Sequence, residues 1–149
     1  MSELKDIYNF QQIDDQLATG GQPTIDQLQD LNLTGYNVII NLATGTTPRD
    51  LAQEGDIVVD MGLDYIHIPV DWDAPTSANL EDFYDAMKLK RDRQIFVHCI
   101  ANKRVSAFVF LYRVNKRGAD IDTARATLHR IWNPERDNPT WARFIADHL

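Results

Sequence analysis

Residues 104–117 (RVSAFVFLYRVNKR) place apolar side chains on nearly every side of a helix: Val105, Phe108, Val109, Phe110, Leu111, Tyr112 and Val114. A helix of that kind has no solvent face and has to be buried. It comes directly after the apolar run Ile95 to Cys99, so a buried strand turns through a few polar residues into a buried helix. A layered fold, in which helices cover a sheet, satisfies both segments. Lys116 and Arg117 complement the dipole of the last turn, and Gly118 supplies the stop.

The rest of the chain repeats this alternation, which predicts an α/β fold. Gln11 to Ala18 offers a weak strand or hairpin before Gly20-Gly21-Gln22-Pro23. Thr24 and Gln27 form a capping-box pair that opens a helix with Ile25, Leu28 and Leu31 on one face, closed by Gly35. Asn37 to Leu42 (NVIINL) is almost wholly apolar, as in a strand covered on both faces. Thr47 as N-cap, Pro48 at the first helical position and Asp50 in the first turn predict a helix there. Residues 56–61 read as helix closed by Gly62, and Tyr65 to Val70 as a strand. Further helices are expected from about Asn79, over Ile121 to Trp132, and over Thr140 to His148. Three polar loops, 43–49, 71–77 and 99–104, then lie at strand ends. In open parallel sheets, ligands bind beyond the carboxyl ends of the strands, so these loops are expected to converge on one site.

Composition narrows the partners. The 149 residues fit one domain, and their formal charge of −7 disfavours nucleic acid and anionic membrane. An anion bound here has to be captured by local charge. One cysteine excludes an internal disulfide and fits a reducing compartment. With no signal-peptide core in MSELKDIYNFQQ and no membrane-length apolar run, the chain is expected to be cytoplasmic. No metal-ligand spacing, nucleotide-binding glycine loop or serine elbow is present, so no cofactor is expected.

The chemistry concentrates at FVHCIANKRVSAF, residues 96–108. A strand, a tight turn and a helix N-terminus form an anion site from backbone alone. The same field, with His98, Lys103 and Arg104 nearby in sequence, favours Cys99 as a thiolate nucleophile. Arg104 supplies a planar fork for two oxygens of a phosphate or sulfate. The loop has to bend sharply, and Asn102 tolerates a left-handed conformation better than other non-glycine residues. The alternative is a small buried cysteine beside a core histidine.

HCIANKRVSAF resembles the signature of protein tyrosine and dual-specificity phosphatases, His-Cys-x5-Arg-Ser/Thr. LATGGQPT, VIINL, IHIPVD…APT and HC…RVSAFVFLYR are similar to a bacterial family of phosphatase-like proteins of unassigned function. The resemblance implies a three-layer α/β/α fold with a mostly parallel four-stranded sheet in the order 1-4-2-3. It implies that Cys99 is the nucleophile, that His98 helps hold it as thiolate, and that Ser106 stabilises the leaving thiolate. The loop Ile100, Ala101, Asn102, Lys103, Arg104 and Val105 would cradle a phosphorylated substrate or similar anion. Val105 occupies the arginine position, and Arg104 comes one residue early, a turn of about 100° at a helix start. By the same resemblance an Asp after the preceding strand, Asp71 or Asp73, is the general acid.

Cys-x4-Arg is also the count that rhodanese-type sulfurtransferases resemble, where the cysteine carries a persulfide. A non-catalytic anion-binding relative is the third reading. Arg49 reads as surface charge or as added positive charge at the rim, and Gly20, Gly21 and Gln22 as a turn or a close approach to the loop. Trp72 reads as a pocket wall or an edge cover, His67 as packing or solvent-facing, and His129 and His148 have no partner motif. Trp132, Trp141 and Phe144 are expected to pack the terminal helices.

Overall fold

Each strand of the sheet alternates its side chains between two helical layers. In this computed structural model, which describes residues 3 to 149, Gln11–Gln12 (β1) and Leu17–Gly20 (β2) form the expected hairpin. Ile25–Leu33 (α1), Val38–Asn41 (β3), Glu54–Asp60 (α2) and Asp64–His67 (β4) follow. Ser77–Leu89 (α3), Ile95–His98 (β5) and Lys103–Arg117 (α4) complete the sheet and its main cover. Ile121–His129 (α5), Pro134–Asp137 (α6) and Pro139–His148 (α7) close the chain. The sheet order is β1-β2-β5-β3-β4. Its four parallel strands keep the expected order 1-4-2-3, and β1 adds a two-residue antiparallel fifth strand at the edge.

Ala18, Ile39 and Phe96 face Leu28 and Leu31 of α1 and Val58 of α2. Val38, Ile40 and Val97 face the opposite way, onto Phe83 of α3 and Val105 to Tyr112 of α4. That two-sided burial follows from the period-2 pleat of strands that are apolar throughout. Residues Arg104 to Tyr112 are all buried, as the apolar circumference of α4 requires. Gly118 ends α4 with φ 68°, and the Ala119 N–H turns back to the Arg113 carbonyl. The capping box of Thr24 and Gln27 forms in both directions.

Four boundaries differ from expectation. No helix forms at Thr47-Pro48. The Asp50 carboxylate instead accepts from the N–H groups of Gly45 and Thr47 and from the Thr47 hydroxyl, folding the segment onto itself. β4 stops at His67 because Pro69 has no N–H for the ladder, although Ile68 and Val70 still donate to Asn41 and Leu42. α3 begins at Ser77, since Thr76 rather than a later residue accepts the capping bond, from Asn79. The run expected to continue to Trp132 ends at His129, and Asn133 caps the separate turn α6, with Pro134 at its first position.

The C-terminal helices hold the loop after β4. Trp72 stacks on Trp132 at 5.4 Å and on Trp141 at 5.8 Å, and the Trp141 indole N–H donates to the Trp72 carbonyl at 2.8 Å. Trp141 is wholly buried, with Phe108 and Phe144 also against it. Trp141→Ala is expected to cost about 3–5 kcal/mol, read from the urea unfolding midpoint, and Trp141→Phe markedly less.

Candidate active site

The turn from β5 into α4 is tight because neighbours strap it from two sides. Asn102 takes φ 65°, the left-handed conformation its position predicted, and is fully buried. Its amide donates to the Asn9 carbonyl at 2.8 Å and to the Thr19 hydroxyl at 3.1 Å, and Asn9 donates back to the Ala101 carbonyl at 3.0 Å. From the β2 side, the Gln22 N–H donates to the Ile100 carbonyl at 3.0 Å. Gly21 is pressed so closely here that a Cβ would lie 2.4 Å from the Ile100 oxygen. The close approach considered for Gly20, Gly21 and Gln22 is therefore the structural fact. In α4 the first intrahelical bond is Ser106 N–H to Asn102, so the N–H groups of Lys103, Arg104 and Val105 have no intrahelical partner.

Cys99 lies at the end of β5 with 1% of its surface exposed. Arg104 is buried on the first turn of α4 and donates one Nη1 bond to the Val70 carbonyl at 2.8 Å. Burial would raise the Asp50 carboxyl, but the Thr47 hydroxyl, the Thr47 and Gly45 N–H groups and the charge of Arg104 hold it below its usual range. Arg104 therefore stands between the loops after β3 and β4. Ser106 donates to the Lys103 carbonyl and accepts from the Trp132 indole. Its hydroxyl is committed to the base of the helix rather than bonded to the Cys99 sulfur. Lys103 is exposed, with its ammonium 5.7 Å from the Trp132 ring centroid.

Beneath the turn runs a buried polar network. The His98 Nδ1 lies 3.1 Å from the Cys99 carbonyl, and its Nε2 lies 2.6 Å from a carboxylate oxygen of Glu54. The other Glu54 oxygen accepts from the Gln22 amide at 2.5 Å, and the Tyr65 hydroxyl bears on the carboxylate electrostatically. Burial, reinforced by the charge of Glu54, pushes Tyr65 up to about 12 against the bond from Asn41, so its hydroxyl stays protonated. Burial alone would raise Glu54. Bonds from His98 and Gln22, with the charge on His98 and the Tyr65 hydroxyl, hold it below its ordinary value instead.

Asp71 and Asp73 are exposed on the loop beside the Arg104 anchor, and Asp71 accepts from the Asp73 N–H at 2.9 Å. A cavity of about 650 Å³ opens beside the turn, lined by Tyr8, Pro23, Ile25, Arg49, Leu51 and Ile100 among others. Arg104 ties the turn to the start of the loop after β4 through the Val70 carbonyl, whereas this cavity is lined from the other two loops, by Arg49 and Ile100, and not from residues 71–77. Arg49 thus stands at the rim. His67 donates to the Ala43 carbonyl, His129 bonds Glu135, and His148 bonds Ser77, away from the turn. Among the described residues, no group of three or more His, Cys, Asp or Glu side chains could hold a metal ion.

A family model described as DSP-PTPase phosphatase fused to NAD+ kinase matches residues 2–141. The chain belongs to this phosphatase family. A candidate phosphatase of the DUF442 group from Shewanella putrefaciens CN-32 is 32% identical, with TM-score 0.86, and the match covers 97% of this chain and 90% of that one. TpbA of P. aeruginosa, solved with pTyr, is 14% identical with TM-score 0.74, over 97% of this chain and 86% of its own. PTPMT1, solved with PI(5)P, is 18% identical with TM-score 0.77, over 94% of each. These two show likeness of fold. No match to a curated protein was found.

For this phosphatase domain, the sequence reading missed Glu54. It opens α2 after Gln53, which is left-handed at φ 58°, and no spacing in the chain ties it to His98, 44 positions away. Gln22, its other partner, reads in the sequence as a turn or a close approach to the cysteine loop, with nothing that ties it to Glu54. Because the Glu54 pKa is depressed on folding, its charge stabilises the fold above the unfolded value near 4.5. That stability is lost as pH falls through the folded value. Glu54→Gln should flatten this acid limb while lowering stability at neutral pH by about 1–3 kcal/mol, as measured by urea unfolding across pH.

Proposed function

We propose that this chain is a cysteine-dependent phosphatase acting on a phosphate monoester. The observation that carries the reading is the strapped turn. It joins a cysteine at a strand end, three helix-start N–H groups free of intrahelical partners, and a buried arginine. Those N–H groups and the helix dipole favour a phosphoryl group. Arg104 spends one Nη1 bond on Val70, and its remaining donors have no hydrogen bond among the described residues. They can take phosphoryl oxygens. The pTyr and PI(5)P held by TpbA and PTPMT1 are phosphorylated ligands on the same fold, consistent with this class.

In the first step the Cys99 thiolate attacks phosphorus. An S–P bond forms, the P–O bond to the leaving group breaks, and Asp71 or Asp73 gives that oxygen its proton. In the second step the same carboxylate takes a proton from water, which attacks phosphorus. The S–P bond breaks, and inorganic phosphate and the Cys99 thiolate are released. Asp71 follows directly on Val70, whose carbonyl anchors Arg104, so the acid and the oxyanion fork share one loop.

Hydrolysis of an aryl phosphate by the whole chain tests this. Cys99→Ser is expected to abolish turnover while leaving phosphate binding in calorimetry. Arg104→Lys should lower kcat/KM about 10²–10³-fold, and Asn at the acid position should lower kcat about 10²–10⁴-fold. Undiminished hydrolysis by Cys99→Ser overturns the mechanism. Phosphate binding without turnover in the unaltered chain makes the protein a binder. Transfer of sulfur from thiosulfate to cyanide, with one added sulfur on Cys99, would favour the persulfide chemistry that the shorter loop also suits.

A further inference from the structure

Both ring nitrogens of His98 face acceptors. A backbone carbonyl has no proton to give, so the contact to Cys99 requires a hydrogen on Nδ1. The 2.6 Å contact at Nε2 is to a buried carboxylate whose other oxygen already accepts from the Gln22 amide. That bond favours the ionised carboxylate, and an ionised carboxylate requires a hydrogen on Nε2 as well. His98 and Glu54 expose almost nothing, with side-chain exposures of 0% and 3%.

We propose that Glu54 is a positioning residue that keeps His98 doubly protonated, so that a buried imidazolium lies beneath Cys99 and holds its carbonyl. The proposal rests on Cys99 being the nucleophile. It adds a carboxylate on α2, outside the Cys-to-Arg signature, as the group that sets the charge under the turn. The other polar and charged groups around this pair are Tyr65 from β4, Asn41 from β3, Gln22 from the loop after β2 and, beyond Tyr65, Asp50 from the loop after β3, on which the charge of Arg104 acts. Phe96 stacks on the imidazole at 6.0 Å, which leaves the ring little freedom to turn from its two acceptors. Glu54 and His98 cancel as a pair, but not in position. The cation adjoins Cys99, and the anion lies on the far side of the ring.

Glu54→Gln separates charge from shape. Its amide can donate to Nε2 while its oxygen still accepts from Gln22, which leaves a neutral ring that keeps the Nδ1 hydrogen. Two measurements on the full chain decide the matter. In ¹⁵N spectra of the unaltered protein, both His98 ring nitrogens should show protonated shifts at neutral and mildly alkaline pH, and a neutral tautomer there overturns the proposal. In Glu54→Gln with its melting transition retained, the pH profile of Cys99 alkylation by iodoacetamide should move to higher pH. A displacement of one pH unit would slow alkylation about tenfold on the acid side. The acid limb of kcat/KM for an aryl phosphate should move the same way. Superimposable alkylation profiles would reduce Glu54 to a structural part and overturn the proposal, and if the variant fails to fold the spectra decide alone. Neither the spectra nor the alkylation needs turnover, so a failed phosphatase reading, shown by active Cys99→Ser, remains distinct from a failed role for Glu54.

Discussion

The carboxylate of Glu54 is the point at which the carboxyl edge of the sheet is joined. It is bonded by His98 on β5 and by Gln22 from the loop after β2, and Tyr65 of β4, itself bonded by Asn41 on β3, bears on the same carboxylate. The sheet edge is therefore joined around one buried charge. Such a charge is costly unless its acceptor capacity is filled, and an unmatched partner costs more than the pair contributes. The requirement fixes the edge more tightly than apolar packing could, since apolar contacts tolerate sliding and two short hydrogen bonds to one carboxylate do not. The Cys99 turn is the surface expression of this arrangement. His98 is held from below, and the next carbonyl in the chain is held by His98.

What could be read in the sequence was whatever a short window encodes. The two-faced apolar strands, the burial of α4, the capping box at Thr24 and the left-handed Asn102 each depend on residues within a few positions of one another. The expected convergence of the loops follows from a topological rule rather than from any pair of residues. Glu54 was not legible, because its meaning lies in contacts 32 and 44 positions away. The expected helix at Thr47-Pro48 failed for a related reason. Its cap signals were real, but the carboxylate of Asp50 satisfied the backbone of the preceding turn, and a side chain that competes for local N–H groups can displace a helix start. For Ser106, the place on the helix is legible in the sequence but the direction of the hydroxyl is not, because Lys103 and Trp132 decide it.

A chain of formal charge −7 repels anions at long range, so attraction to a phosphoryl group has to arise within a few ångströms. In the proposed reading it comes from oriented groups. Three N–H groups point out of a buried helix start, the dipole of a fifteen-residue helix stands behind them, and a guanidinium lies in a water-poor setting. Fixed dipoles in such a setting act more strongly than mobile surface charge. That explains how one short turn can oppose the field of the whole surface.

The direction of Arg104 follows from the phase of α4. Phe108 lies one turn further along the same face, and its ring meets Phe83 of α3 and Trp141 and Phe144 of α7. Core packing sets that phase, and the length of the turn before the helix cannot alter it. A cation at 104 must therefore lean toward the side of α3, where the loop after β4 presents the Val70 carbonyl, while Val105 is carried into the core with no exposure. An arginine at 105 would have pointed about 100° away. The shortened spacing is thus not a gap in an otherwise ordinary turn. It sets the guanidinium at the seam between that turn and the loop of Asp71 and Asp73. The groups proposed to hold the phosphoryl oxygens and to protonate the leaving oxygen become neighbours along one stretch of backbone. Any change that shifts Val70, including loss of the Trp72 contacts that pin its loop, then moves both functions together.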